Sequence, residues 1–114
     1  MTKRNPKAGK AGMNPAYMEA RANEVAGILK TLAHPMRLML ACSLVAAEYS
    51  VGELEEKLDI HQPNLSQQLH VLRESGIVET RREGKQVFYR LTQEQAARLI
   101  KALFSIYCVQ EGES

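Results

Sequence analysis

Residues 50–91 have the sequence SVGELEEKLDIHQPNLSQQLHVLRESGIVETRREGKQVFYRL, and this stretch decides the fold. Ser50, followed three residues later by Glu53, forms a capping box that predicts the start of a short helix. The helical pattern breaks at residues 59–61, and Pro63 then lies in the first turn of a second helix, where its missing N–H costs nothing. The stretch therefore predicts two consecutive helices joined by a turn.

The second of these helices has one apolar side and one polar side. Leu65, Leu69 and Leu72 recur at helical spacing and predict the buried side. The opposite side is polar but almost uncharged, which suits hydrogen bonds to base edges in the major groove of DNA. An ordinary neutral surface helix has the same pattern, and the residues alone favour neither interpretation. The candidates for base contacts are Ser66, Gln67 and His70, with Gln62 and Asn64 beside them.

A two-stranded hairpin follows the second helix. Gly76 is placed to end that helix, and the alternation of residues 86–91 predicts the second strand of the hairpin. Glu83, Gly84 and Lys85 supply the turn between the strands. A basic tip beside a polar helix suits contacts with phosphates, and its candidates are Arg81, Arg82 and Lys85.

The flanking segments predict three further helices. From about Pro15, an apolar seam predicts a helix whose face packs inside the chain or against a partner, formed by Met18, Ala22, Val25, Leu29 and Leu32. Pro35 opens another helix that carries Leu38, Cys42 and Val45 on one face. Thr92 with Gln95 predicts a second capping box, and the final helix ends near Cys108. The predicted fold is mainly α with a small β-hairpin, a winged helix-turn-helix in the order α-α-α-α-β-β-α.

Length and charge limit how the chain can be organised. The 114 residues fit one domain, predicted at residues 15–110, between a flexible basic arm at residues 1–14 and a frayed tail at residues 111–114. The arm holds four of the 15 basic residues and no acid, so the other 100 residues carry 11 bases and 13 acids. Any affinity for DNA must therefore come from local patches and depend on salt. Without a long apolar run or a signal peptide, the chain is expected to be cytoplasmic, with reduced cysteines and no membrane contact.

Catalysis and metal binding are both poorly supported by the residues. His34, His61 and His70 stand in three unrelated contexts, and the chain has neither a glycine-rich phosphate loop nor a CxxC motif. A thiol oxidoreductase is the enzyme alternative, but we expect no enzyme and no cofactor. Cys42 and Cys108 alone are too few for a closed zinc site. We therefore predict no metal site.

Three segments together resemble a known family. LAHPMRLMLACSL at residues 32–44, QPNLSQQLHVLRESGIV at residues 62–78 and REGKQVFYRL at residues 82–91 closely resemble the winged-helix repressors of the arsenic-repressor (ArsR) family. The resemblance covers about residues 15–108 and is greatest to the dithiol, sulfide-responsive branch. It implies a homodimer formed through the first and last helices, which binds a palindromic double-stranded DNA operator and represses transcription. In that case the two-fold axis must hold the recognition helices about 34 Å apart.

The resemblance also changes the interpretation of the cysteines. From the residues alone, two unrelated core cysteines are the better interpretation, because free cysteine behaves as a small hydrophobe. The sulfide-responsive branch carries one cysteine in the second helix and one near the end of the last helix, and Cys42 and Cys108 fill both positions. This implies a redox switch in which sulfane sulfur or an oxidant links the two residues, releases DNA and derepresses genes of the sulfide-detoxification type. A bridge that contains extra sulfur atoms is as compatible with the sequence as a simple disulfide.

Two alternatives to this function remain at this point. The first is a metal- or metalloid-responsive repressor of the same fold, although the cysteine pair that metal sensors of the family place before the recognition helix is absent from residues 51–55. The last helix likewise has Gln95, Arg98 and Lys101 where the zinc sensors place histidine and carboxylates. The second alternative is a winged-helix module that binds a protein with the same helix face. Tight, salt-sensitive binding to duplex DNA would separate this module from a repressor.

Overall fold

A computed structural model of the chain describes residues 14–108. Its helices are α1 (Pro15–Leu32), α2 (Pro35–Ala46), α3 (Val51–Leu58), α4 (Asn64–Glu74) and α5 (Glu94–Tyr107), and its strands are β1 (Tyr49–Ser50), β2 (Val78–Glu83) and β3 (Gln86–Leu91). The predicted order of five helices and a hairpin is confirmed, with β1 as an addition. Most of the predicted arm and the whole predicted tail, residues 111–114, lie outside the described residues.

The chain divides into two compact units, the first ending at Lys30 and the second beginning at Thr31. In the first unit, the Asn14 side-chain oxygen accepts hydrogen bonds from the backbone N–H groups of Ala16 and Tyr17 and so caps α1. Met18, Val25 and Leu29 of the predicted seam are between 42% and 46% exposed. The first unit thus presents apolar side chains to its surroundings.

In the second unit, local signals set the ends of α3. The Ser50 hydroxyl accepts from the Glu53 N–H at 3.2 Å, and the Glu53 carboxylate accepts from the Ser50 N–H at 2.8 Å, which confirms the predicted capping box. Asp59 ends α3 in the left-handed region, with a φ of 56°, and its N–H donates to the Glu55 carbonyl. Pro63 stands directly before α4, one position earlier than the predicted first turn.

The end of α4 is a Schellman motif built on Gly76. The Ile77 N–H donates to the Leu72 carbonyl at 3.1 Å, and the Gly76 N–H donates to the Arg73 carbonyl at 3.0 Å. Gly76 has a φ of +80°, a conformation that other residues adopt only with strain. The motif therefore fixes the direction in which the chain leaves α4 for the wing.

The wing is a three-stranded antiparallel sheet in the order β1-β3-β2. Glu83 pairs with Gln86, so Gly84, with a φ of +64°, and Lys85 form a two-residue turn. The added strand β1 pairs Tyr49 with Tyr89 and Ser50 with Phe88. With only two residues, β1 is too short to show a strand pattern in the sequence. The sheet is therefore larger than the predicted hairpin and anchors it next to α3.

The core of the second unit is made of aliphatic side chains. Its least exposed members are Leu40 and Ala41 of α2, Leu54 of α3, Leu65, Leu69 and Leu72 of α4, Ile77 before β2, and Ala96 and Ile100 of α5. The predicted leucine stripe of α4 is thus confirmed. On α2, the buried side is formed by Leu40, Ala41 and Leu44, while the predicted face with Cys42 is only half-buried.

One predicted helix start was wrong. The Gln93 side chain, not that of Thr92, caps α5 by accepting from the Ala96 N–H at 3.1 Å. Thr92 instead donates its backbone N–H to the Ile77 carbonyl at 3.1 Å, which extends the sheet by one residue and delays the helix.

No single helix within residues 14–108 is long and apolar enough to cross a membrane, and only α1 and α2 taken together pass that test.

Replacing Gly76 with alanine should lower the free energy of unfolding by about 1 kcal/mol, since a Cβ is disfavoured in the left-handed region. Nothing lies within 4 Å of the added Cβ, so the cost is confined to the backbone. Gly52→Ala is the matched control, because its position has ordinary backbone angles and equally open space. Urea denaturation at fixed protein concentration should show a loss only for Gly76→Ala; equal effects of the two substitutions would contradict the assignment.

Candidate DNA-binding surface and dithiol site

The outer face of α4 presents three of the predicted base-contacting residues. Ser66, Gln67 and His70 are exposed on the side opposite the buried leucine stripe. Gln62 is also exposed, but its side-chain oxygen accepts from the Ser66 N–H at 3.0 Å and supports the first turn of the helix. The structure therefore brings Ser66, Gln67 and His70 together on one polar surface.

Asn64 is engaged inside the unit instead. It is half-buried, its side-chain N–H donates to the Met36 sulfur at 3.1 Å, and its side-chain oxygen accepts from Gln68 at 3.1 Å. Both ends of its amide are thus used within the chain. The structure does not place Asn64 with the exposed residues of α4.

Arg37, which was not among the residues predicted from the sequence, is linked to Asn64 through Gln68. Its Nε donates to the Thr31 carbonyl at 2.7 Å, and its Nη1 donates to the Gln68 side-chain oxygen at 2.9 Å. Arg37 is the only charged residue of α2, whose sequence is PMRLMLACSLVA. A lone charge in an otherwise apolar helix is the sequence signal that could have identified it.

On the wing, Arg81 is held by two carboxylates. Its guanidinium contacts Glu48 through Nε at 2.9 Å and Nη2 at 2.8 Å, and Glu83 through Nη1 at 3.2 Å. It also lies over the Phe88 ring, 4.8 Å from the centroid. The hydrogen bonds that Arg81 donates to Glu48 and, to a lesser extent, to Glu83 raise the pKa of Arg81 above its ordinary value. Arg81 therefore stays protonated, but two carboxylates compensate part of its charge and hold it on the outer face of the sheet.

Arg82 and Lys85 are the less constrained cations of the wing. Arg82 is opposite Val87 in the strand register, so its side chain leaves the face opposite to that of Arg81. Within the described part of the chain, neither Arg82 nor Lys85 forms an ion pair, and both are exposed. Both charges are thus available to an anionic partner.

The two predicted switch residues meet at a common apolar site. Cys42, half-buried on α2, and Cys108, exposed at the end of α5, both line two adjoining recesses of about 420 and 200 Å³. Leu38 and Phe104 also line both recesses, and no Asp, Glu, Lys, Arg or His lines either one. Both cysteines are free thiols. Folding has therefore brought two residues that are distant in sequence into one apolar environment.

The two thiols differ in burial, since Cys42 is half-buried and Cys108 is exposed. Burial raises the pKa of the Cys42 thiol above its ordinary value, and the nearby charge of Cys108 raises it further. The Cys108 N–H donates to the Phe104 carbonyl at 2.8 Å, which holds this residue at the end of α5. Because the thiolate is the nucleophile, the exposed Cys108 is the more accessible reactive group of the pair.

Metal ligands are not assembled in the same way. Among residues 14–108, no cluster of three or more His, Cys, Asp or Glu side chains is arranged to hold a metal ion. The closest approach to such a cluster is His61, which lies 3.0 Å from Asp59 and 3.7 Å from Glu55 in the turn before α4. None of these three residues lines either of the two cysteine recesses.

Comparison with known proteins agrees with this architecture. A sequence profile of the family described as "Bacterial regulatory protein, arsR family" matches residues 34–80, which span α2 to the first part of β2. The chain is 70% identical over 94 residues to the Biofilm growth-associated repressor of Agrobacterium fabrum, covering 82% of this chain and 80% of that protein. The structure of the transcriptional repressor BigR from Xylella fastidiosa has a TM-score of 0.77 and 65% identity, over 85% of this chain and 99% of that one.

A more distant relative has the same fold. The structure of reduced HlyU from Vibrio cholerae has a TM-score of 0.77 and 39% identity, over 81% of this chain and 97% of that one. HlyU of this organism is named a transcriptional activator. The winged helix-turn-helix, the profile match and the identity to curated relatives agree, and the chain belongs to the arsR family of bacterial regulatory proteins.

Proposed function

We propose that the protein is a homodimeric transcriptional repressor whose binding to DNA is switched off when Cys42 becomes linked to Cys108. One observation carries the proposal: the same compact unit presents a polar, almost uncharged helix face and places two cysteines in one apolar site. Repression is preferred to activation because the relatives named repressors are 66–70% identical to this chain, whereas HlyU is 40% identical. Since its target is DNA, the protein would act in the cytoplasm.

In this proposal, α4 lies in the major groove. Ser66, Gln67 and His70 contact base edges, and Gln62 lies at the rim of the same surface. Asn64, whose amide is occupied inside the unit, contributes by holding α4 in place. On the wing, Arg82 and Lys85 contact phosphates, while Arg81 keeps the sheet in shape and adds a weaker, partly neutralised charge.

Dimer formation is supported by the apolar side chains that each unit leaves uncovered. On α1, Met18, Val25 and Leu29 are exposed, and on α5, Phe104, Ile106 and Tyr107 are 47%, 66% and 79% exposed. Apolar surface of this kind on the first and last helices is typical of residues buried by a partner. A two-fold dimer would set the separation of the two α4 helices and match them to a palindromic operator.

The proposed switch takes place in two balanced steps. The Cys108 thiolate attacks the sulfane sulfur of a persulfide R–S–SH and forms Cys108–S–SH, and the thiolate R–S⁻ leaves. The Cys42 thiolate then attacks the Sγ of Cys108 and forms the disulfide, and HS⁻ leaves. The apolar lining of the recesses favours small, neutral sulfur donors over charged ones. Bridging ties α5 to α2, and therefore the proposed dimer interface to the DNA-binding unit.

The order of the two steps predicts unequal thiol reactivity. Near neutral pH, iodoacetamide should alkylate Cys108 at least several-fold faster than Cys42, because Cys108 is exposed and burial raises the pKa of Cys42. Raising the pH should speed the reaction of Cys42 as its thiolate forms. Peptide mass spectrometry gives both rates, and in urea they should converge. Equal rates in the folded protein would contradict the proposed order.

The switch predicts a reversible loss of DNA affinity. Reduced protein should enrich a palindromic duplex from a random-sequence library, and a persulfide donor should then weaken binding by about 5-fold to 150-fold, as about 1–3 kcal/mol of coupling requires. A thiol reductant should restore affinity. Cys42→Ser and Cys108→Ser should each bind DNA normally and lose the response, while intact mass distinguishes a disulfide from a bridge with added sulfur. A full response in both variants would overturn the switch.

The wing predicts a specific salt dependence. Arg82→Ala should reduce the magnitude of the slope of log affinity against log salt concentration by about 2, because a homodimer loses one phosphate contact in each protomer. Arg90→Ala is the matched control on the neighbouring strand, because Arg90 is already paired with Glu79 at 2.8 Å. Fluorescence anisotropy at several salt concentrations measures both slopes. An unchanged slope for Arg82→Ala would remove Arg82 from the DNA contacts.

A further inference from the structure

We propose that Arg37 is a positioning residue for DNA recognition, which sets the rotation of α4 through Gln68 and Asn64 without contacting DNA itself. The cluster runs from the Thr31 carbonyl to Arg37, to Gln68, to Asn64 and to the Met36 sulfur, with donor–acceptor distances of 2.7, 2.9, 3.1 and 3.1 Å. We call this chain of hydrogen bonds the Arg37 cluster. The inference rests on the proposed DNA-binding function and adds to it a role for residues on the inner side of α4.

The Arg37 cluster supplies most of the side-chain hydrogen bonding at the start of α4, where Leu65 and Gln67 donate their N–H groups to the backbone carbonyls of His61 and Pro63. Pro63, the residue at the N-cap, makes no side-chain capping hydrogen bond, and only Gln62 satisfies a first-turn N–H with its side chain. The leucine stripe fixes how deeply the helix is buried, but apolar contacts are not directional and allow small rotations. Hydrogen bonds at Asn64 and Gln68, one turn apart, fix the rotation of that turn.

The Arg37 cluster lies next to the exposed polar surface of α4 in the sequence. Ser66 and Gln67, the exposed candidates for base contacts, lie between Asn64 and Gln68 in the sequence. Holding the two flanking residues therefore holds the two that point outward. Recognition requires side chains within about 0.5 Å of the productive geometry, so a rotation of 10–20° is enough to lose base contacts.

The chemistry of Arg37 suits this role better than a phosphate contact. It is half-buried, and its planar guanidinium places Nε on a backbone carbonyl and Nη1 on an amide oxygen at the same time. Lysine has the same charge but a single donor centre, so it cannot make both bonds in this geometry. Arg37→Lys therefore removes the pair of hydrogen bonds and keeps the positive charge.

The test compares Arg37→Lys with Gln68→Leu and with the double variant, in the full-length reduced protein and on the selected palindromic duplex. Each single substitution should weaken specific binding about tenfold, as for the loss of a hydrogen bond to a charged group. The slope against salt should stay unchanged, and affinity for random-sequence DNA should change little. The double variant should be about as weak as either single variant, because both remove the same interaction.

Arg90→Lys is the control, since Arg90 is an exposed arginine on β3 that is paired with Glu79 at 2.8 Å, outside α4 and the Arg37 cluster. It should leave specific binding unchanged. Thermal unfolding checks that each variant is folded, and Gln68→Leu tests the inference by itself if Arg37→Lys does not fold. Faster amide hydrogen exchange at residues 65–68 in the variants gives a readout that does not depend on DNA.

Several outcomes would overturn the inference. In the charge-removing variant Arg37→Gln, a salt slope smaller in magnitude by about 2 per dimer would make Arg37 a phosphate ligand. Single effects that multiply in the double variant would show that Arg37 and Gln68 act independently. If the unmodified protein selects no duplex, the proposed function fails; if it selects one and the variants bind it equally well, only the role of Arg37 fails.

Discussion

The burial of one leucine stripe controls what the rest of the surface can do. Leu65, Leu69 and Leu72 are fully buried, each contributing about 1.5–3 kcal/mol by removal from water. Because a helix has 3.6 residues per turn, burying this stripe leaves Ser66, Gln67 and His70 no alternative to an outward orientation. The same constraint therefore stabilises the unit and creates its polar surface. A rotation of α4 large enough to bury these polar residues would have to expose the leucines.

Local signals in the sequence were sufficient for the helices but not for the contacts between them. The Ser50 capping box and the glycine after α4 depend on neighbours within a few residues, and both are present in the structure. The strand β1 was missed because two residues carry no period, and the Thr92 cap was wrong because its N–H is used by the sheet. The positions of Asn64 and Arg81 could not be predicted, since their partners are distant in sequence: Met36 and Glu48. The proximity of the cysteines likewise came from a family resemblance and not from spacing.

Part of the positive charge on the wing is already compensated by carboxylates. The chain has 15 basic and 13 acidic residues, and on the sheet Arg81 and Arg90 are already paired with glutamates. Exposed ion pairs of this kind add little stability, about 0–1 kcal/mol each, but they remove positive charge from the surface. In the proposed complex, the nonspecific attraction of the wing to DNA is therefore limited, and the almost uncharged face of α4 carries more of the discrimination between sequences. Such a balance makes recognition sensitive to small changes in the orientation of α4.

Helix α2 is where sensing and recognition meet in the proposed mechanism. Its first turns hold α4 through Met36 and Arg37, and one turn further along it presents Cys42 to the recess shared with α5. A short helix moves as a rigid body, because its backbone hydrogen bonds resist bending. A bridge that pulls Cys42 toward Cys108 would therefore also displace the donors of the Arg37 cluster, so one chemical event would disturb both the dimer interface and the rotation of α4. Both effects act in the same direction, toward release of DNA, and a modest strain at the cysteines is enough because specific binding tolerates little misorientation.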